Sequence, residues 1–150
     1  MATSRAAAPS AEVRSFLASA RRAHLATASG AGEPHVVPVC FAVLDERTLV
    51  FAVDDKPKRP GARLKRVRNL VENPRFALVV DRWDEDWSRL GYVLVGGRGE
   101  VLRDAARCAL AVAALRARYP QYVAMGLDPS RHEVIALTIE RVHAWGRLDA

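Results

Sequence analysis

Short apolar stretches separated by tight turns constrain the fold of this chain more than any other feature. Residues 24–29 alternate between apolar and polar side chains, residues 35–44 form a long valine-rich stretch, and residues 48–53 form a third. The connections between them, residues 30–33 and 45–47, are too short to hold a helix. Strands joined in this way pair with their neighbours, so we expect an antiparallel meander.

Helical patterns separate this meander from three further strands. Ser10 is a candidate N-cap for a helix that runs to about Arg22, residues 62–72 form a second helix, and Asp104 caps a third that Pro120 ends. The second helix is expected to bury Leu64, Val67 and Val71. The remaining strands are expected at residues 75–81, 91–102 and 133–144, the middle one bent at its glycines.

This order of elements is not the strict alternation of strand and helix that parallel sheets need. The sequence therefore predicts a mostly β protein, a six-stranded antiparallel sheet that closes into a small barrel with covering helices. A length of 150 residues suits one domain, which we place at residues 11–150 behind a flexible N-terminal arm at residues 1–10.

Several classes of protein are disfavoured by what the sequence lacks. The longest apolar run, residues 36–44, is nine residues long and contains Pro38, so no membrane helix is expected. The N-terminus has no signal-peptide pattern. Cys40 and Cys108 form no CxxC pair, which favours reduced thiols in a cytoplasmic protein. The four histidines are dispersed, so no metal site is expected, and no nucleophile or phosphate-loop motif is present.

The net charge of +6 has one location. Seven basic residues occupy the thirteen positions 56–68, and without them the chain carries sixteen basic against seventeen acidic residues. The seven are Lys56, Lys58, Arg59, Arg63, Lys65, Arg66 and Arg68. Such a local excess suits a compact anion better than a long polyanion, although a solvated cationic face is the simpler interpretation.

Three properties of this basic stretch favour a ligand. It follows a strand end, it opens a helix whose amides attract anions, and it mixes lysine with the bidentate fork of arginine. We expect Lys56, Lys58, Arg59 and Arg63 to bind the ligand. The other three basic residues, Lys65, Arg66 and Arg68, are expected to stay solvated.

A nucleic-acid-binding module is the alternative that this charge raises. A basic patch and high isoelectric point are its usual signature. However, no aromatic residue for base stacking interrupts the patch, and the acidic run at residues 84–86 would repel a phosphate backbone. The acidic loop at residues 81–86 is most simply a solvated loop, or pairs with arginines of a second subunit. Trp83, Trp87 and Trp145 are expected as core or interface anchors, with a wall for a ligand ring as the alternative.

The chain resembles the pyridoxamine 5′-phosphate oxidase-like split β-barrel family in the order of its motifs. Residues 23–28 and 34–39 look like the family's first two strands, and residues 49–53 like its third. Residues 55–59 and 69–74 look like its phosphate loop and following helix. Four further segments look like the actinobacterial deazaflavin-dependent branch: residues 56–59, 81–87 and 118–122, and Trp145.

The resemblance implies a split-barrel homodimer with two cofactor sites at the subunit interface. It implies that Lys58 binds the cofactor phosphate beside Lys56, and that Val37, Pro38 and Val53 meet the cofactor ring. Where the family's flavin enzymes have an arginine, this chain has a histidine at position 35, which favours coenzyme F420 over flavin mononucleotide (FMN).

The implied activity is hydride transfer between reduced F420 and a small organic acceptor. The cofactor carries the chemistry, which fits the lack of a catalytic triad, and no catalytic residue is assigned. An FMN-binding oxidoreductase of the same fold remains an alternative. A carrier that binds F420 or flavin without turnover is another.

Overall fold

A computed structural model of the chain describes residues 8–54 and 63–149. Its strands are β1 Ala23–Ala28, β2 Pro34–Val39, β3 Ala42–Val43, β4 Thr48–Ala52, β5 Arg75–Arg82, β6 Gly91–Val101 and β7 Val134–Gly146. Its helices are α1 Ala11–Ser19, α2 Lys65–Glu72, α3 Ala105–Arg118 and α4 Pro120–Ala124. A short 3-10 turn, Trp87–Arg89, lies between β5 and β6.

The strands form one curled antiparallel sheet in the order β2-β1-β5-β6-β7-β4-β3. The prediction of a mostly β, split-barrel fold with covering helices is confirmed, with seven strands rather than six. The extra strand arises because the stretch expected as one strand at residues 35–44 divides at Phe41. The backbone N–H of Phe41 donates to the Tyr119 hydroxyl at 3.1 Å, and that hydroxyl lies 3.0 Å from the Phe41 carbonyl oxygen.

The concave face of the sheet is filled by two helices. Phe16 and Leu17 of α1 and Val67 and Leu70 of α2 join the inward residues of β1, β2, β5 and β6 in one buried cluster. A second cluster lies where α3 packs on β3, β4 and the first half of β7. Helices α1 and α2 therefore cover one face of the sheet, and α3 covers part of the other face near β3 and β4.

Helix α2 is rotated relative to the expectation from sequence. Val67 and Leu70 are buried as apolar spacing requires, but Val71 is 61% exposed, so its predicted burial is wrong. Asn69 takes the buried position, with its side-chain N–H donating to the Thr27 hydroxyl at 3.0 Å. A buried side-chain hydrogen bond to β1 thus sets the face that the helix presents to the core, while the Asn69 Oδ1 atom has no hydrogen-bond partner among the described residues.

The other helix limits follow local hydrogen bonds. The Ser10 hydroxyl accepts from Val13 N–H, and the Asp104 carboxylate accepts from Arg107 N–H, so both predicted N-caps are confirmed. Helix α1 ends at Ser19 rather than near Arg22. Helix α3 ends at Arg118, just before Pro120 as predicted, and Pro120 then begins a further short helix, α4. Of the expected N-terminal arm, residues 8–10 are described, and Pro9 among them is buried.

Strand β6 bends at its glycines as predicted. The register with β7 shifts between Gly96 and Gly97. A Cβ atom at Gly97 would overlap the backbone carbonyl oxygen of Thr138, so only glycine allows the two strands to approach this closely. The shift carries β7 past the core, and its residues after Ile139 are exposed.

Candidate functional site

Two adjoining cavities lie where β2, β4, α2 and α4 meet. The larger holds about 550 Å3 and the smaller about 290 Å3. They share three lining residues, Cys40, Asp54 and Tyr122. The larger is also lined by Arg21, Tyr119, Pro120, Gln121 and Met125, and the smaller by Arg22, Pro38, Val39, Phe51, Ala52 and Arg66.

Arg66 is the central cation of the smaller cavity. It sits in the first turn of α2 and is half-buried, and its Nε atom is buried without a hydrogen-bond partner in the part of the chain that the structure describes. Burial lowers the pKa of Arg66, and the nearby Asp54 carboxylate offsets part of that effect. The expectation that Arg66 is a solvated side chain is therefore wrong.

Two more arginines flank these cavities at the start of β1. Arg22 lines the smaller cavity and Arg21 the larger. The Arg21 guanidinium donates to the backbone carbonyl of Arg118 at 2.9 Å, which fixes its direction. Together with Arg66 they concentrate positive charge around one space, an arrangement that favours an anionic ligand.

Two tyrosines at the junction of α3 and α4, Tyr119 and Tyr122, line the larger cavity. The Tyr119 hydroxyl lies 2.9 Å from the Arg21 carbonyl oxygen and also bonds to the Phe41 backbone, so three chain segments converge on it. The Tyr119 and Tyr122 rings meet edge to face at 5.6 Å. Burial is the main cause that raises the pKa of Tyr122, so its hydroxyl stays protonated at neutral pH.

The residues expected to bind the ligand fall into four groups. Pro38 lines the smaller cavity. Val37 and Val53 are sequence neighbours of residues that line this cavity, but their own side chains pack against the main core. Arg63 pairs with Glu133 at 2.6 Å and lines neither cavity. The other three, Lys56, Lys58 and Arg59, lie outside the described residues.

The sequence interpretation missed Arg21, Arg22 and Tyr122. Arg21 and Arg22 stand at the end of a helical pattern, where charged residues usually face solvent, and nothing local distinguishes them. Tyr122 lies within residues 118–122, which resemble the deazaflavin branch, so that segment was the available signal. The three converge with Arg66 only through the tertiary fold.

Helix α3 covers only part of its face of the sheet; the rest of that face carries no helix in the part of the chain that the structure describes, and we call it the open face. It consists of the outward side chains of β2, β1, β5, β6 and the end of β7. Its members are Pro34, Val36, Pro38, His24, Ala26, Ala28, Ala77, Val79, Asp81, Tyr92, Leu94, Arg141, His143 and Trp145, all half-buried or exposed. Most of them are apolar, and Val36 is 63% exposed.

The tryptophans lie at the edge of the open face rather than in the core of this chain. Trp83, Trp87 and Trp145 are all more than half exposed. Trp145 stacks on Tyr92 with ring centroids 5.9 Å apart, and Tyr92 also contacts His143. Trp87 and Trp145 border a shallow cleft of about 470 Å3 at the end of the β6–β7 ribbon.

The described residues contain no cluster of histidine, cysteine or carboxylate side chains suited to a metal ion. Cys40 and Cys108 are both free thiols, the first exposed and the second buried. Within residues 8–54 and 63–149, none of the helices has the length and apolar character to span a bilayer.

One curled antiparallel sheet with covering helices places the chain in the split-barrel class. The family model described as pyridoxamine 5′-phosphate oxidase matches residues 9–146, and the chain belongs to this family. No curated protein sequence matches the chain.

Solved structures repeat the fold at low sequence identity. Rv2991 from Mycobacterium tuberculosis, a conserved hypothetical protein, is 20% identical with a TM-score of 0.72, covering 95% of this chain and 88% of that one. A FAD-binding protein from Mesorhizobium loti is 24% identical with a TM-score of 0.68, covering 92% and 95%. A heme binding protein from Mycobacterium smegmatis is 23% identical with a TM-score of 0.69, covering 96% of this chain and 57% of that one. At such identities the likeness shows the fold alone.

Proposed function

We propose that this protein is an oxidoreductase that binds a flavin-type cofactor, coenzyme F420, and transfers a hydride between the reduced cofactor and a small organic acceptor. The observation that carries the proposal is the half-buried Arg66 guanidinium, whose buried Nε has no partner among the described residues. Partial burial of a cation is costly, and although the Asp54 carboxylate offsets part of that cost, the buried Nε–H still lacks an acceptor among the described residues. A cofactor phosphate supplies both the charge and the acceptor oxygens.

The surrounding residues fit the rest of such a cofactor. Pro38 and Val39 offer an apolar wall to a ring, and Arg22 lies on the same cavity. The larger cavity adds Arg21 and space beyond Arg66, which suits a cofactor whose tail carries further carboxylates, as F420 does. Lys56, Lys58 and Arg59 are proposed as additional phosphate ligands on the basis of the sequence.

In this proposal the cofactor supplies the hydride chemistry and the chain supplies position and environment. Arg66 and Arg22 hold the anionic end. The hydrogen bonds of the Tyr119 hydroxyl to the Arg21 and Phe41 backbone fix one wall of the larger cavity. The protonated Tyr122 hydroxyl offers a neutral hydrogen-bond donor in the same cavity. The apolar wall at Pro38 keeps water from one side of the ring.

We also propose a homodimer, supported by the open face. A largely apolar sheet face without a covering helix is typical of an interface. The unpaired thiols Cys40 and Cys108 support a cytoplasmic location.

Titration of the purified protein with F420, FMN and hemin in parallel tests the cofactor. We expect saturable F420 binding with one site per chain and weaker binding of FMN. Tight binding of hemin with no response to F420 or FMN would refute the proposal. Turnover of reduced F420 with a panel of quinones and enones then separates an oxidoreductase from a carrier, because a carrier binds without oxidising its cofactor.

A further inference from the structure

The two adjoining cavities contain one carboxylate, and it belongs to Asp54. Among the described residues that line them, the other charged side chains are Arg21, Arg22 and Arg66. Asp54 lines both cavities, so a ligand that extends from one into the other passes this carboxylate. A negative charge opposes the binding of every anion, and its position among three arginines therefore calls for a physical reason.

The backbone fixes Asp54 at the end of β4. The N–H of the preceding residue, Val53, donates to the backbone carbonyl of Glu133 at 3.0 Å. Arg66 lines the same cavity from the first turn of α2. The Asp54 carboxylate lies near enough to raise the pKa of Arg66 against the effect of burial, and it also contributes to the raised pKa of Tyr122. Its electrostatic field thus extends into both cavities.

The repulsion between Asp54 and a bound phosphate depends on the charge of that phosphate. The phosphomonoester of FMN has a second pKa of about 6, so it carries nearly two negative charges at neutral pH. The phosphodiester that joins the ring system of F420 to its tail carries one. Because Coulomb energy is proportional to the product of the charges, Asp54 repels the monoester about twice as strongly as the diester. The arginines act in the opposite direction, and Asp54 limits how far they favour the second charge.

We propose that Asp54 determines the cofactor specificity of this site, by discriminating against the dianionic phosphomonoester of FMN relative to the monoanionic phosphodiester of F420. The inference rests on the proposed function, since it names the class of phosphate ester that the proposed site accepts. Asp54 gives this specificity through repulsion of the wrong ligand, and it makes no favourable contact with the right one.

A purely structural role for Asp54, as the counter-ion that holds Arg66 in place, makes a different prediction. Loss of Asp54 would then change the affinity for all phosphate esters by the same factor. A role in specificity changes the ratio between a monoester and a diester. The ratio of two dissociation constants therefore separates the two roles, whereas the affinity for a single ligand does not.

Competition against bound F420 compares two ligands that share one ring system. FMN and its phosphate methyl ester differ by one methyl group and one negative charge. At about pH 7.5 we expect the methyl ester to bind the wild type about threefold more tightly than FMN. Asp54→Asn is expected to raise the affinity for FMN about tenfold and that for the methyl ester about threefold, which removes the difference. Asp54→Glu keeps the charge and should keep the preference.

The pH dependence tests the same claim in the wild type, without any substitution. Lowering the pH from about 7.5 to about 5.5 adds one proton to the FMN phosphate and none to the methyl ester. Both phosphates then carry one charge, and the preference for the methyl ester should disappear. A titration within the protein acts on both ligands, so the ratio reports the charge of the phosphate. The charged and titratable side chains that line the cavities are Arg21, Arg22, Cys40, Asp54, Arg66, Tyr119 and Tyr122.

Glu46→Gln removes an exposed carboxylate that lines neither cavity, so it is the control and should leave the ratio unchanged. An equal gain for both ligands in Asp54→Asn would overturn the inference, and so would a wild type that prefers FMN at about pH 7.5. Failure of both ligands to compete with F420 in Asp54→Asn would overturn it as well. If the wild type binds F420 but the ratio does not respond to Asp54, the proposed function stands and this inference fails. If the wild type binds no F420, the proposed function itself fails.

Discussion

The Arg63 guanidinium donates to the Glu133 carboxylate at 2.6 Å. The backbone carbonyl of Glu133 also accepts the N–H of Val53 at 3.0 Å, so one residue ties the end of β4 to the approach of α2. Arg63 was expected to bind the ligand anion from its place in the basic stretch. In this structure its charge is compensated by a partner within the chain, and its binding of the ligand stays a prediction.

Removing that partner should strengthen anion binding. In Glu133→Gln a negative charge is lost close to the basic stretch, so we expect F420 affinity to rise a few-fold at low salt and the gain to fade at high salt. Stability should fall by about 0–1 kcal/mol, because both side chains are partly exposed. Isothermal titration at two ionic strengths measures the effect. Glu46→Gln, an exposed carboxylate elsewhere, is the control, and an equal gain there would contradict a local role.

Tyr122 should make the protein lose stability in alkaline solution. Its pKa is raised in the folded state, so above about pH 10 the unfolded phenol ionises while the buried one remains protonated. The free energy of unfolding therefore falls as pH rises from that point. Urea unfolding at about pH 9 and about pH 11 should show a smaller loss in Tyr122→Phe than in the wild type. Equal losses would show that Tyr122 ionises normally.

The buried hydrogen bond between Asn69 and Thr27 should contribute to stability as a pair. Each of Asn69→Ala and Thr27→Val leaves the other side chain unsatisfied, and we expect a cost of about 1–3 kcal/mol for each. The double variant should cost less than the sum, because no unpaired group remains. Chemical denaturation of the four proteins gives the coupling energy. If the loss in the double variant equals the sum of the two single losses, the Asn69 and Thr27 side chains do not interact, and their contact does not orient α2.

The sequence predicted the elements well because their signals are local. The alternation of apolar and polar residues, the turns and the N-caps Ser10 and Asp104 depend only on neighbouring residues. The structure confirms both N-caps. The break at Phe41 depends on a hydroxyl 78 residues away, which no local pattern reveals. The same is true of α2, where apolar spacing favoured Val71 but a polar contact with Thr27 decides the buried face.

The candidate site was less predictable for the same reason. Clustering in the sequence drew attention to the basic stretch, yet Arg66 differs from Arg63 and Arg68 only in where the fold puts it. Arg22 lines the same cavity as Arg66 but lies at the start of β1, more than forty residues earlier in the sequence. Only the resemblance to a family of known fold pointed to Pro38, which the structure places on the cavity wall.

Gly97 should be intolerant of any side chain. Because a Cβ atom there would overlap the Thr138 carbonyl oxygen, Gly97→Ala must separate β6 from β7, and we expect a loss of about 3 kcal/mol. Gly30→Ala is the matched control, since its Cβ would meet only the Glu72 side chain at 3.4 Å. Thermal unfolding of the two variants compares them directly. A Gly97→Ala protein as stable as Gly30→Ala would contradict the close approach of the strands.

The central claim is that Arg66 binds the anionic end of a flavin-type cofactor. Titration of Arg66→Ala, Arg68→Ala and the wild type with F420 tests this claim most directly. The two arginines share helix α2, but Arg68 is exposed and lines neither cavity. We expect Arg66→Ala to lose about 1.5–3 kcal/mol of binding free energy with little change in stability, and Arg68→Ala to bind like the wild type. Equal affinities for all three proteins would contradict the account.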